Sequence, residues 1–480
     1  MYFKITKLAL TFLVFNIFII QNLMADMLFY YNAAVLPSII SSQENPKGIL
    51  DTSFGTEGIV LDDYTACISC DAQAEAMTID SFGNIYVTGH SGYYSFCDDS
   101  GNQMVIWKYT SEGVRDTSFG IDGIVTYEGA TGIGSNDIGN DIALDASGNI
   151  YVIGGSTLFG TGTSMVIWKY TPEGHLDTGF GGGGLVVAHG NGLTSNNTAY
   201  GRGITLDSLG NIYAVGYRYF NDTYDDMMIW KYTADGDLDT SFGIGGIVRH
   251  HNAAGGDSHD MGWSIVLDES RNIYVSGESS SDDDYRDMVI WKYTSAGVLD
   301  SSFGSDGLVV HKNAAGGNWM DLGRKITLDV SGNIFVTGHS YNDNRDAEMV
   351  IWKYTAAGVL DNGFGTNGIV VDNSIADGNG KHFGWDIVLD TSGNIFVAGG
   401  HNMDVTSGGE MVIWKYSSDG DLDNSFGTGG VVLYDEVEAN SHRGHGMTLD
   451  HSGNIYVTGY GYYTDEFNDT VWNMTLWKYK

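Results

Sequence analysis

The 480-residue sequence predicts an all-β fold, a seven-bladed β-propeller of four-stranded antiparallel blades, and three observations carry that expectation. A Phe-Gly phrase recurs at Phe54, Phe119, Phe180, Phe242, Phe303, Phe364 and Phe426, and a Trp-Lys-Tyr phrase at Trp107, Trp168, Trp230, Trp291, Trp352, Trp414 and Trp477. Each period of about 61–62 residues holds four short strand-like runs parted by Gly, Asp, Asn and Ser, with no helical period between them. The regular pattern opens on the fourth run and closes on the third, so the ends of the chain share one blade.

The second copy shows the elements in order. "DIALD" from Asp141 is the inner strand, "NIYVIGG" from Asn149 the second, "MVIWKYT" from Met165 the third and "GGLVV" from Gly183 the outer one. Apolar residues on both sides of "IYV" and "MVIW" suit blades that bury both faces against their neighbours. The segment from Ile49 to Leu61 then supplies the outer strand of the blade that ends at Lys480, which pairs two otherwise exposed edges.

"LDTSFGTEGIV", "ALDASGNIYVIGG" and "MVIWKYTPEG" resemble the bacterial delta-60 repeat family, and also NHL- and SBBP-type propeller blades, over roughly residues 49–480. The resemblance implies a propeller in an exported bacterial protein. It implies no shared activity, and therefore no catalytic residues.

Before the repeats, "MYFKITK" leads into the apolar "LALTFLVFNIFII" and then "QNLMA", which reads as an export signal ending at Ala25. The apolar core is shorter than the ~20 residues a membrane span needs. The expected organisation is a signal peptide over 1–25, a linker over 26–48 and the propeller over 49–480. A periplasmic, cell-surface or extracellular location follows, with membrane contact only through the signal before its cleavage. The chain carries 60 Asp and Glu against 23 Lys and Arg, a formal charge of -37, which disfavours nucleic acid as a partner.

Most repeated residues read as framework. "LDxSGN" is a tight turn in which Asp and Ser bond turn amides. It lacks the alternating oxygen ligands and late carboxylate of a calcium loop; the "DGDLD" stretches at Asp235 and Asp419 come closer, but the aligned positions in other copies lose the acids, and no metal or cofactor is expected. The seven Trp pack between blades, and the Lys after each pairs with the Asp of "LDxSFG". His259, His382 and His442 read as surface-loop histidines.

Two connections per blade vary freely, and alternating strand directions put both on one face of the disc. Just before the inner-strand Ile or Met, one position holds in turn Glu75, Asn140, Arg202, Trp263, Arg324, Trp385 and His445. These are the candidate binding residues, expected around the channel mouth, because Trp and Arg suit stacking and charged-group recognition. All three cysteines fall in the first repeat, and a disulfide is expected from Cys97 to Cys67 or Cys70. The function expected is that of a monomeric, non-catalytic binding module for a glycan, peptide or surface protein. A polysaccharide hydrolase or lyase at the channel mouth and a purely structural matrix role are the alternatives.

Overall fold

The structure, a computed structural model, describes residues 47–62, 71–92, 101–158, 160, 162–189, 198–256, 258–281, 285–372, 375, 381–401, 409–434, 441–464 and 470–480. The chain divides into Met1–Asn45 and Pro46–Lys480. The signal segment, nearly all of the linker, and Cys67, Cys70 and Cys97 with their expected disulfide lie outside the described residues.

Strand β1 (Ile59–Asp62) precedes the first complete blade, which runs outward as β2 (Asp71–Ile79), β3 (Ile85–Gly92), β4 (Gln103–Tyr109) and β5 (Ile124–Tyr127). Six sheets follow this sequence-order pattern, and the seventh is completed by β1, giving seven four-stranded antiparallel sheets. We number the blades from the one starting at Asp71 to the one starting at Ser441. The inner strands contact one another in a closed circle, the last meeting the first. Among the described residues there is no helix.

The clasp forms as the shifted repeat demands. β1 pairs antiparallel with the C-terminal strand Thr470–Tyr479, Ile59 opposite Trp477. The Asp51 amide donates to the Lys478 carbonyl, and the Lys480 ammonium bonds Asp51 at 2.7 Å.

The repeated phrases prove to be one device. In blade 1 the Lys108 ammonium sits 5.2 Å from the Tyr86 ring centre, 5.5 Å from that of Phe119 and 3.0 Å from the Asp116 carboxylate. The "NIY", "WKY" and "LDxSFG" phrases thus meet at one cation. The ion pair recurs in every blade, from Lys169 with Asp177 at 3.1 Å to Lys478 with Asp51 at 3.7 Å across the clasp. The Phe-Gly amide then donates to the next blade's turn, Gly120 to Glu173 and so on around to Gly427, which donates to Lys47. This belt of backbone bonds ties blade to blade on the framework face. The "WKY" Trp residues are buried between blades as expected, each at most 2% exposed.

Candidate functional site at the propeller axis

Each inner strand carries a β-bulge, and the residue left out of the ladder is in every case the variable one. The register jumps between Ala74 and Ala76, Gly139 and Asp141, Gly201 and Gly203, Gly262 and Ser264, Gly323 and Lys325, Gly384 and Asp386, and Gly444 and Gly446. A bulge re-aims a side chain out of the alternation of its strand. Here it presents Glu75, Asn140, Arg202, Trp263, Arg324, Trp385 and His445 to one another around the axis.

The last Gly of "NIYVTG" makes the bulge fit. A Cβ on Gly89 would lie 1.9 Å from the Gln73 carbonyl oxygen, and on Gly277 1.9 Å from that of Met261. The same contact recurs in each blade, so no side chain is tolerated there.

The bulge residues form a chain of contacts that crosses blade boundaries. Arg202 lies 4.6 Å and Arg324 4.0 Å from the Trp263 ring centre, and Arg324 also lies 5.3 Å from that of Trp385. Trp385 stacks on His445 at 5.3 Å and 13°, and His445 Nδ1 meets Glu75 Oε2 at 3.1 Å. Asn140 joins through its side-chain amide, which donates to the Gly201 carbonyl at 2.7 Å. Arg202, Trp263, Arg324 and Trp385 thus form a continuous arc of mutual contacts, with Trp263 and Arg324 at the middle of their strands.

Residues that sequence reading missed complete the axis. Lys325 of blade 5 reaches Asp141 of blade 2 at 3.8 Å. Burial pushes the Lys325 ammonium down, but Asp141 and Asp386 outweigh it and hold the group above its ordinary value. Asp386, pushed up by burial, accepts the Met447 amide of the next blade at 2.8 Å. Glu75 also faces His90, 4.0 Å away. Burial pushes the Glu75 carboxyl up, yet His445, His90 and Arg202 outweigh it and keep it below its usual range. Burial pushes the His90 imidazole down, and the nearby Glu75 carboxylate opposes that shift. The only sequence signal for these groups was that their template positions vary.

The variable face is partly pinned from below. Asp260, the first residue of its inner strand, accepts the Asn252 and Ala253 amides at 2.7 and 3.0 Å, and Asp321 does the same for Asn313 and Ala314. Burial pushes Asp321 up to about 6. In the loop that leads to Asp321 the half-buried Trp319 lies 3.9 Å from the Arg345 guanidinium and 5.1 Å from the Tyr285 ring.

The surface-loop reading of the histidines needs correction. His382 and His442 are each 2% exposed and pack on Trp414 and Trp477 inside their strands. Each stands near the start of an inner strand, where the previous blade covers it. His259 is half-buried and bonds Asp225 at 2.8 Å. Among the described residues no group of three or more His, Cys, Asp or Glu stands together as a metal site.

Seven sheets closed by the terminal strand, with one template in each, make this a β-propeller repeat protein. Residues 146–180, 210–242 and 271–303 match the family model described as a domain of unknown function (DUF5122) beta-propeller. A comparison with curated proteins gave no match. Among solved structures, the chain is similar to a polysaccharide lyase, an ulvan lyase bound to -[GlcA(1-4)Rha3S]-, at 13% identity over 87% of this chain and 94% of that one, with a TM-score of 0.46. It is similar to a protein of unknown function from Dyadobacter fermentans at 8% identity, over 88% of this chain and 100% of that one, TM-score 0.42. A sialidase of Trypanosoma rangeli follows at 9% identity, over 90% and 57%, TM-score 0.40. At these identities the likeness does not extend beyond the fold.

Proposed function

We propose that this is an exported, monomeric, non-catalytic binding module of the bacterial delta-60 type, which meets a glycan, peptide or surface protein through its variable face. The observation that carries the reading is the half-buried Trp319 with the exposed Arg345 and with Tyr285, drawn from loops of blades 4 and 5 and set on anchored backbone. Aromatic and Arg side chains held in advance lose little freedom on binding and are the usual anchors of an interface. The axial Trp263 and Trp385 are less available, since Arg and His side chains already lie against their rings.

A glycan and protein-ligand array with the chain lacking residues 1–25 tests this directly. For any ligand found, Trp319→Ala is expected to weaken binding about tenfold or more with the fold intact. A Trp263→Ala, Trp385→Ala double variant that folds is expected to bind as well as the parent. The opposite pattern moves the site to the axis. Catalysis on polysaccharide is the second reading, supported by Glu75 between His445 and His90. Product formation by the parent and its loss in Glu75→Gln would replace the first reading with it.

A further inference from the structure

At each of the seven blade junctions the last residue of an outer strand lies beside the next blade's "WKY" Trp and Tyr. Six of these residues are large or polar. Tyr127 lies against Trp168, His250 against Trp291, His311 against Trp352 and Tyr434 against Trp477, with ring centres 5.5 to 6.2 Å apart. The two histidines also bond the Tyr293 and Tyr354 hydroxyls at 2.8 Å. Carboxylates fill the other two. Asp372 accepts the Trp414 indole N–H at 2.7 Å and the Tyr416 hydroxyl at 2.8 Å, while Asp62 accepts the Tyr109 hydroxyl and the Arg115 guanidinium.

The junction of blades 2 and 3 has Ala188 in this place. A groove of about 550 Å³ opens there, floored by Trp230 and Tyr232 and walled by Leu238, Ile247 and Arg218. Trp230 at 2% and Tyr232 at 5% are the most exposed members of their series of seven. Burial and the nearby Arg249 lower the Arg218 pKa; Arg249 is itself held by Asp226, so Arg218 is the guanidinium that lines the groove, with the Asp237 carboxylate also in its lining.

We infer that this groove binds a small aromatic carboxylate, the ligand supplying what Ala188 omits. The carboxylate would take the Tyr232 hydroxyl and Trp230 indole donors, as Asp372 takes theirs, with Arg218 in the role Arg115 has beside Asp62. The flat ring would lie against Leu238 and Ile247 of the groove wall, beside the Trp that a flat side chain covers at four other junctions. The volume is within the range of small-molecule sites and several times that of one side chain. This deepens the binding reading but uses a different surface, so it can fail while the variable face succeeds, and the reverse.

Benzoate is the probe, titrated into the chain lacking residues 1–25 and followed by saturation-transfer NMR. Binding in the millimolar range is expected, with benzamide, the uncharged analogue, at least about tenfold weaker. Arg218→Gln should weaken benzoate about tenfold. Ala188→Asp and Ala188→His install the side chains of other junctions, and should abolish binding while raising the melting temperature by about 2–4 °C. No benzoate signal in the millimolar range, equal binding of benzamide, or binding retained in both Ala188 variants would overturn the proposal.

Discussion

The framework face and the axis solve the same problem, joining seven blades, by opposite means. On the framework face every blade repeats the same Lys cage and the same Gly amide bond to its neighbour. At the axis no two adjacent bulge residues are alike, and each is held by a partner of different chemistry, Arg on Trp, Trp on His, His on Glu. A contact between backbone groups at the rim, where neighbouring blades meet two at a time, can be copied around the ring without conflict. Seven identical side chains meeting around one axis would crowd or repel, so the ring there must be mixed.

The sharpest way to break the comparison is at the clasp, the one place where the belt depends on chain ends. Removing residues 49–61 takes away β1, the buried Phe54 and Asp51 together. It is expected to cost more than about 5 kcal/mol, read as loss of cooperative thermal unfolding. A deletion that melts like the parent would show that the belt does not need closing.

Next in size is the bulge glycine. Gly277→Ala sets a Cβ against the Met261 carbonyl and is expected to destabilise by about 3–5 kcal/mol in denaturant unfolding. The same change at Gly245, where a Cβ meets nothing within 4 Å but φ is +63°, should cost about 1 kcal/mol. Equal effects would remove the bulge as the device that aims the ring.

Trp263→Ala removes the nearest ring from each of two arginines and opens space at the axis, for an expected loss of about 3 kcal/mol. A double-mutant cycle with Arg324→Gln should return a coupling of about 0.5–1.5 kcal/mol. Zero coupling would mean that the axial stack is proximity without energy.

The smallest effect separates the clasp's charge from its packing. Burial pushes the Asp51 carboxyl up, but Lys480 and the Ser53 hydroxyl and amide outweigh it and hold it at about 2, against 3.8 in an unconstrained chain. A depressed carboxyl stabilises the fold above the unfolded value and loses that contribution as pH falls through the folded one. Because Lys480 is 59% exposed, solvent screening reduces the contribution to about 1 kcal/mol. Asp51→Asn should therefore melt below the parent at pH 6 and converge with it between pH 4 and pH 2. A difference that persists at pH 2 would assign the role of Asp51 to packing.

The blade count, the strand order, the clasp and the uniform face were all legible in the sequence, because each rests on local turn chemistry and on a hydrophobic pattern repeated seven times. "LDxSGN" announces its turn within six residues, and in the structure the Asp145 side chain takes the Ser147 and Asn149 amides as that phrase requires. The variable position could be located, since the template holds around it. Its chemistry could not be read, because Trp263 meets Arg202 and Arg324 only after three blades have closed side by side. Lys325 and Asp141 are 184 positions apart and meet only once the ring is closed. Ala188 is unremarkable in its own strand and becomes a gap only beside Trp230 of the next blade. Sequence determines what a blade can satisfy within itself, and the closed ring decides what each blade leaves for its neighbours to fill.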